Sequence, residues 1–249
     1  MNELSLYTGI GGGIWASKIL GHRIVGYVEW VEYCQEVIKS RIRDGYFDDA
    51  PIFGDIRAFI SSGKVDEYAG LVDLISGGFP CQPFSEADKK KAEKDPRNMW
   101  PQTIEVIRRI KPKFVFLENV PRLLRFPYFG TILEDLETAG YELERPLLLG
   151  SSNVGAEHKK QRLWIFAGLI EGRLQEPRKK KYAEEFEIRM PQGKFYSIRC
   201  ERNGPSIGPP VVRGLPRIPN RCDRIKGLGN CQVPGVAATA FRILSDGWI

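Results

Sequence analysis

Cysteine and histidine are scarce in this sequence, which has five cysteines and two histidines among 249 residues. The number of cysteines is odd and no Cys-x-x-Cys pair occurs, so the disulfide framework of a small secreted domain is not expected. A zinc site needs more closely spaced ligands than these. We therefore predict no metal site, and we interpret four of the cysteines as small buried apolar residues, namely Cys34, Cys200, Cys222 and Cys231.

Long apolar runs are also lacking, and none is long enough to cross a bilayer. The first residues do not have the basic and apolar regions of a signal peptide. We therefore expect a cytoplasmic protein with no membrane partner. Apolar residues make up 42% of the chain, and its length suits one sizeable α/β domain with a small appended lobe.

Positive charge is unevenly distributed along the chain. Residues 1–170 carry 22 Lys/Arg against 23 Asp/Glu, whereas residues 171–226 carry 14 against 7. The second segment contains the basic run Arg178–Lys181, many prolines and little helical periodicity. A solvated surface is the alternative explanation for any charge run. A whole basic segment rich in proline and glycine nevertheless favours a polyanionic partner, and we interpret it as a small irregular lobe.

Before that segment, strand-like and helix-like patterns alternate. Apolar runs typical of strands lie at 4–7, 23–28, 71–75, 113–117 and 162–167. Helical periodicity lies at 14–20, 31–43, 102–110 and 129–139, and a last helix is predicted at 233–244. The alternation predicts an α/β fold with a mostly parallel, Rossmann-like sheet covered by helices on both faces. Ligands of such sheets bind at the carboxyl ends of the strands.

Several polar and aromatic residues follow these predicted strands. The glycine-rich turn 8–13 allows the backbone to approach a ligand at a helix N-terminus. Glu29, about 20 positions on, is placed to accept hydrogen bonds from ribose hydroxyls. Trp30 offers a face for an adenine ring, Asp55 an acceptor for its amino group, and Ile56 an apolar contact. A tight turn, a surface carboxylate or core packing would explain each alone, but together they predict a nucleoside-containing cofactor.

Cys81 differs from the other cysteines because it lies between two prolines on a loop that leaves a strand. Pro80 and Pro83 hold the backbone extended and fix the direction of the thiol. The glycines before them leave room for a large ligand. A reactive thiol needs an electropositive, partly open setting, which Arg162 can supply. The pattern predicts that Cys81 is a nucleophile.

Other polar residues are expected near Cys81. Glu118 ends a buried strand, which is costly unless the carboxylate has a partner or a function; a structural ion pair is the alternative. Arg162 is expected to point into the same cleft, with Lys160 along the same side, and a solvated basic turn is the alternative there. Asn230, between glycines and before a helix, either caps that helix or faces the cofactor.

In this order the motifs resemble those of the cytosine-C5 DNA methyltransferase family, of the short prokaryotic or viral type. The resemblance covers residues 4–168 and 221–244. It rests on Leu6–Gly12, Glu29, Gly54–Ile56, Gly78–Ser85, Glu118–Val120, Arg162 and Gly229–Pro234. There are departures: Tyr7 stands where phenylalanine is common, and His158 and Lys160 replace a glutamine and an arginine of the family pattern. The segment between Arg162 and the last motif is short for a target-recognition region.

The resemblance implies a methyltransferase sheet that binds S-adenosylmethionine, a small irregular recognition lobe, and double-stranded DNA as substrate. It implies catalytic roles for Cys81, Glu118 and Arg162. The cofactor-binding residues it implies are Tyr7, Thr8, Gly9, Gly11, Gly12, Glu29, Trp30, Asp55, Ile56, Pro80 and Asn230. The DNA-binding residues it implies are Gln82, Ser85, Lys89, Arg97 and Lys160. A cognate restriction endonuclease is a candidate partner.

The resemblance also implies a division of the chain and a mechanism. Residues 1–170 would form the catalytic and cofactor-binding domain, 171–222 the basic recognition region, and 223–249 a segment that returns to the catalytic domain. Cys81 would add to C6 of a cytosine that has been flipped out of the duplex, and 85–100 would form a lid.

Two alternatives stay open. One is a tRNA cytosine-C5 methyltransferase of the same fold, although the Pro-Pro-Cys-Gln and Cys-Phe-Thr elements of that branch are lacking. The other is a catalytically silent DNA-binding module, against which the intact Cys81, Glu118 and Arg162 argue.

Overall fold

The computed structural model describes residues 1–80, 98–158, 160–170 and 221–249. Its strands are β1 (Asn2–Leu6), β2 (Arg23–Val28), β3 (Ile52–Phe53), β4 (Leu74–Gly77), β5 (Phe114–Asn119), β6 (Tyr141–Leu143), β7 (Leu147–Gly150) and β8 (Gln161–Leu169). Its α-helices are α1 (Gly12–Ile19), α2 (Glu32–Arg43), α3 (Ile56–Ser61), α4 (Trp100–Ile110), α5 (Tyr128–Thr138), α6 (Arg221–Asn230) and α7 (Pro234–Leu244). Short 3-10 helices lie at Lys64–Tyr68, Pro121–Arg125 and Ser151–Val154.

These strands form one sheet in the order β3-β2-β1-β4-β5-β8-β6, with β7 also paired to β8. The first five strands pair in parallel, whereas β8 runs antiparallel between β5 and β6. The chain moves outward from β1 to β2 and β3, and then returns to β4 on the other side of β1. Such a reversal of strand order opens a crevice at the carboxyl ends of the strands, where ligands bind.

Both faces of the sheet are covered, as alternating side chains on β5 demonstrate. Val115 and Leu117 pack into an apolar cluster with α4 and α5. Phe116, between them, packs into a second cluster with α7, where its ring lies 5.3 Å from that of Phe241. A strand that is buried on both faces needs apolar residues at consecutive positions, which explains the run in β5. The predicted α/β sheet with helices on both faces is confirmed.

The clearest difference from the sequence-based prediction is helix α6. Residues 171–226 were expected to form an irregular lobe, and Asn230 was expected to precede a helix, but Arg221–Asn230 is itself helical. Gly227 and Gly229 weaken the helical signal, and Ile225 and Leu228 are exposed instead of forming an apolar stripe. Tertiary contact favours the helix, since a Cβ on Gly227 would lie 2.9 Å from the side chain of Ile10.

The predicted recognition region lies mostly at 171–220, outside the described residues. Its proposed boundary at residue 222 falls within α6, and the division into three regions stays a prediction. Short elements that the sequence did not reveal are β3, α3, β6 and β7. None of the helices in the described ranges is long and apolar enough to cross a membrane.

Candidate active site

A cavity of about 590 Å³ opens at the carboxyl ends of β1, β2 and β4, at the reversal of strand order. Most of the predicted cofactor-binding residues line it, namely Tyr7, Thr8, Gly9, Glu29, Trp30, Asp55, Ile56, Pro80 and Asn230. Four residues of α6 also line it: Asp223, Lys226, Gly227 and Asn230. The structure therefore brings together residues from the first strand and from the last third of the chain.

Glu29 is held in place by the backbone on both sides of it. It is 7% exposed, and one carboxylate oxygen accepts the Gly9 N–H at 2.6 Å while the other accepts the Val31 N–H at 2.7 Å. The Gly9 φ of +59° is a conformation that glycine adopts without strain. Each oxygen of an ionised carboxylate has two acceptor sites. Glu29 can therefore accept two further hydrogen bonds from a ligand in the cavity.

Gly11 and Gly12 do not line the cavity, although the sequence predicted that they bind cofactor. A Cβ on Gly11 would lie 2.5 Å from the ring of Phe47, and one on Gly12 would overlap Cys231 and the backbone of Gln232. These two glycines allow the turn to pack against its neighbours. Gly13 lines the cavity in their place.

Asp55 and Trp30 are linked by Arg57, which the sequence analysis did not single out. Asp55 caps α3 by accepting the Arg57 N–H at 2.9 Å, and its carboxylate pairs with the Arg57 guanidinium at 3.1 Å. That guanidinium lies over the Trp30 ring at 5.2 Å, a cation–π contact. Trp30 is 63% exposed, so its indole offers a large apolar surface at the mouth of the cavity.

Tyr7 has a φ of +53°, which is uncommon for a residue other than glycine. Its hydroxyl donates to the Met99 carbonyl at 3.1 Å and lies 2.9 Å from the Thr103 hydroxyl. Burial raises the pKa of this phenol. The Tyr7 hydroxyl therefore links the turn after β1 to the start of α4. A phenylalanine at this position could not make these hydrogen bonds.

Glu118 and Arg162 form the charged centre next to the cavity. The antiparallel pairing of β5 and β8 places Glu118 opposite Trp164, and Arg162 Nε lies 2.6 Å from Glu118 Oε1. Burial raises the pKa of Glu118, and the guanidinium of Arg162 opposes that rise. The carboxyl group therefore keeps a proton to higher pH than an exposed glutamate does.

Glycine at position 78 provides the space for this carboxylate. A Cβ there would lie 2.6 Å from Glu118 Oε2. Asn119, the next residue on β5, donates its side-chain N–H to the Phe79 carbonyl at 3.1 Å. Glu118 and Asn119 consequently lie against Gly78 and Phe79, and the predicted position of Glu118 beside Cys81 stays a prediction.

Five predicted site residues lie outside the described residues: Cys81, Gln82, Ser85, Lys89 and Arg97. Their roles stay predictions. The described chain ends one residue before Cys81, at Pro80, which lines the cavity. The described residues next to this gap include Pro80 and Gly78, which line the cavity, and Glu118, which a Cβ on Gly78 would approach to 2.6 Å.

A second cavity, of about 660 Å³, lies between the start of β8 and the segment joining α6 to α7. The basic residues that line it are His158, Lys160 and Arg162. Cys231 and Gln232 line both cavities and so form a shared wall. Gln232 was not among the predicted site residues. The only sequence feature that could have indicated it is its position between Asn230, which glycine precedes, and the start of α7.

Lys160 makes a contact that the sequence did not indicate. Its ammonium donates to the Leu228 carbonyl at 3.3 Å and also to the carbonyl of Cys231. Burial and the neighbouring Arg162 lower its pKa. Its predicted contact with DNA stays untested, whereas its contact with the end of α6 is part of the structure.

Comparison with known proteins agrees with this geometry. The model of the C-5 cytosine-specific DNA methylase family matches residues 1–200. The chain is 33% identical over 167 residues to the Type II methyltransferase M.HpaII of Haemophilus parainfluenzae, which covers 65% of this chain and 44% of that protein. It is 31% identical over 166 residues to the Type II methyltransferase M.NgoBI of Neisseria gonorrhoeae, covering 65% and 49%. The chain thus matches less than half the length of these relatives.

Solved structures with a similar fold include a mutant of Spodoptera frugiperda DNMT2 and the Dnmt2 methyltransferase of S. pombe. The first has a TM-score of 0.54 at 23% identity and covers 76% of this chain and 55% of that one. The second has a TM-score of 0.54 at 20% identity and covers 70% and 52%. At these identities the similarity concerns the fold.

Proposed function

Because the chain belongs to the C-5 cytosine-specific DNA methylase family, we propose that it transfers a methyl group from S-adenosylmethionine to C5 of a cytosine in double-stranded DNA. The observation that carries the proposal is the ion pair between Glu118 and Arg162, 2.6 Å long, next to both the cavity and the segment that leads into Cys81. An acid at this position could protonate the ring of a base that is attacked from the Cys81 segment.

The residues of the first cavity fit the cofactor. Its volume is in the usual range for small-ligand sites, about 300–1,000 Å³. Glu29 has acceptor capacity for ribose hydroxyls, and the Trp30 indole can stack with a purine. A Cβ on Gly77 would lie 2.7 Å from the Leu6 carbonyl, so glycine allows β1 and β4 to lie close together where both line the cavity. When bound, S-adenosylmethionine supplies an electrophilic methyl group on its sulfonium.

The protein's own groups must make cytosine C5 nucleophilic. In the proposed reaction the Cys81 thiolate forms a bond to C6 and Glu118 donates a proton to N3, so that the ring becomes an enamine whose C5 accepts the methyl group. Arg162 holds the carboxyl of Glu118 and binds the O2 side of the base. A water molecule then takes the C5 proton, the thiolate leaves C6, and N3 returns its proton to Glu118, so that 5-methylcytosine and the starting state of the acid are both regenerated.

The raised pKa of Glu118 supports its role in this scheme. A carboxylic acid can donate a proton to a ring nitrogen only if part of it is protonated at the working pH. Burial raises the pKa of Glu118 and so increases that fraction, and Arg162 keeps the carboxyl oriented. Because C6 is hidden in a stacked duplex, the target base must rotate out of the helix before Cys81 can reach it.

Several finer proposals accompany this one. The Type II designation of the relatives supports a restriction endonuclease with the same sequence specificity as a partner. A DNA substrate is consistent with the expected cytoplasmic location. The basic segment at 171–226, with 14 Lys/Arg against 7 Asp/Glu, is proposed to contact the phosphate backbone and give salt-dependent affinity.

The test is methyl transfer from labelled S-adenosylmethionine to duplex DNA and to tRNA in parallel, followed by bisulfite sequencing of the DNA. We expect label in DNA, at cytosines within one short sequence, and none with the Cys81→Ser variant. Label in tRNA alone would overturn the proposal. A duplex containing 5-fluorocytosine should trap a covalent adduct, whereas a silent DNA-binding module would form none.

A further inference from the structure

The ammonium of Lys160 is bound by main-chain carbonyls at the end of α6. It donates to the oxygens of Leu228 and Cys231, far away in sequence. Leu228 lies in the last turn of the helix, where carbonyl groups lack intrahelical partners and attract cations. Lys160 therefore provides hydrogen bonds to carbonyl groups at and just after the end of this helix, and its ammonium faces these carbonyls.

The segment that Lys160 binds is part of the cofactor cavity. Asn230, Cys231 and Gln232 all line that cavity. The same segment packs so closely on the first turn of α1 that a Cβ on Gly12 would overlap Cys231, while one on Gly13 would lie 2.9 Å from Gln232 Oε1. A displacement of this segment would consequently change the wall of the cavity and its contact with α1.

The other end of the contact is next to the charged centre. Lys160 precedes β8 and is two residues from Arg162, whose guanidinium pairs with Glu118. Both basic residues line the second cavity. Lys160 thus joins the strand that carries Arg162 to the segment that carries Asn230 and Gln232.

We propose that Lys160 is a positioning residue that fastens the α6–α7 link to the start of β8 and so sets the affinity for the cofactor, instead of contacting DNA phosphates. The part of this inference that concerns cofactor and DNA rests on the proposed function. The part that concerns the fastening of the link does not, and it can be tested in the protein alone.

The experiment compares Lys160→Met, Lys160→Arg and the control Lys64→Met. Methionine keeps the aliphatic length but donates no hydrogen bond, whereas arginine can still donate to carbonyls. Lys64 pairs with Glu67 at an exposed site, so its loss removes one positive charge without touching either cavity. Three quantities are measured: amide hydrogen exchange of residues 228–232 without ligand, the Kd for S-adenosylmethionine, and the salt dependence of duplex binding.

We expect Lys160→Met to speed exchange in residues 228–232 and to weaken cofactor binding by about tenfold, the equivalent of one charge-assisted hydrogen bond. Lys160→Arg should restore most of both, and Lys64→Met should change neither. The slope of log Kd against log salt for DNA should stay the same. If Lys160→Met does not fold, Lys160→Gln, which keeps one donor group, should show the same two effects in weaker form.

The opposite result is well defined. A phosphate contact at Lys160 would reduce the salt slope by about 0.9, with exchange and cofactor affinity unchanged, and that outcome would overturn the inference. If the wild-type protein binds no cofactor, the proposed function fails. The rate of amide exchange in residues 228–232 then still tests whether Lys160 fastens the link. If this rate is the same in Lys160→Met and in the wild type, Lys160 does not fasten it.

Discussion

The guanidinium of Arg162 is the charge that compensates the buried carboxylate of Glu118, at 2.6 Å. Their side chains are 21% and 11% exposed, so water contributes little to the solvation of either group. Burial raises the pKa of Glu118 in spite of this partner. The pair consequently has an energetic role in the fold as well as the proposed role in catalysis.

Arg162→Ala should destabilise the protein in a pH-dependent way. It leaves a buried carboxylate unpaired, which costs about 3–5 kcal/mol, and raises the pKa of Glu118 further. A carboxyl group with a raised pKa in the folded state lowers stability as the pH rises above the unfolded pKa, and this penalty disappears when the pH falls below it. Urea unfolding at pH 8 should show the loss, and the loss should shrink towards pH 5.

The control for that measurement is Arg108→Ala, which breaks a surface pair with Asp135. Exposed pairs contribute about 0–1 kcal/mol. The free energy of unfolding should therefore change little, and the change should not depend on the protonation of Glu118. An equal loss in both variants at pH 8 would contradict the role of burial at Arg162.

Glu118→Gln should separate chemistry from cofactor binding. Glutamine cannot donate a proton to N3, so single-turnover methyl transfer should fall by about 100-fold or more. The Kd for S-adenosylmethionine should change little because Glu118 is not among the residues that line the first cavity. In the wild type, transfer should decline as the pH rises through the raised pKa of Glu118, because the donor form is lost.

Gly78→Ala should act on Glu118 without changing its chemistry. The new methyl group would lie 2.6 Å from Oε2, so the carboxylate must move and transfer should fall by about tenfold or more. Gly130→Ala is a matched control, since a Cβ there meets nothing within 4 Å. That residue lies in α5, and alanine should raise stability by about 0.5–1 kcal/mol. Normal transfer in Gly78→Ala would argue against the proposed position of Glu118 in the reaction.

Trp30→Ala should weaken cofactor binding. The exposed indole at the mouth of the cavity is expected to stack on the adenine, and removing an aromatic contact costs about 1 kcal/mol beyond lost burial. A Kd increase of about tenfold is expected by calorimetry. Tyr46→Ala removes another exposed aromatic side chain, away from the cavity, and should leave the Kd unchanged. Equal Kd values for Trp30→Ala and wild type would exclude the stacking role.

The sheet was predictable from the sequence because its strands have clear signals. β5 begins with a continuous apolar run and ends with Glu118 and Asn119. β4 has apolar residues at Leu74 and Ile75 and ends at Gly77, before a second glycine. Burial on both faces selects such runs. Helix α6 was not predictable, because its glycines and exposed leucine and isoleucine are typical of a loop and only its packing against Ile10 favours the helix.

The site was predictable where a residue's type and its place after a strand determine its neighbours. Glu29 directly follows β2, which the sequence predicted, and it lines the cavity. Asp55 also lines the cavity, although the short strand β3 before it was not predicted. Contacts across long sequence distances were not predictable. Lys160 was expected to contact DNA, but only the three-dimensional structure places two carbonyls of a distant helix end at its ammonium.

The wall of the cofactor cavity combines Ser5, on the first strand, with Gln232, shortly before the last helix. A chain still being synthesised therefore has no complete cavity until that late segment has left the ribosome. Ligand binding stabilises only conformations that already contain the site. The cofactor can accordingly contribute nothing to the early steps of folding, and the sheet must form on its own apolar contacts.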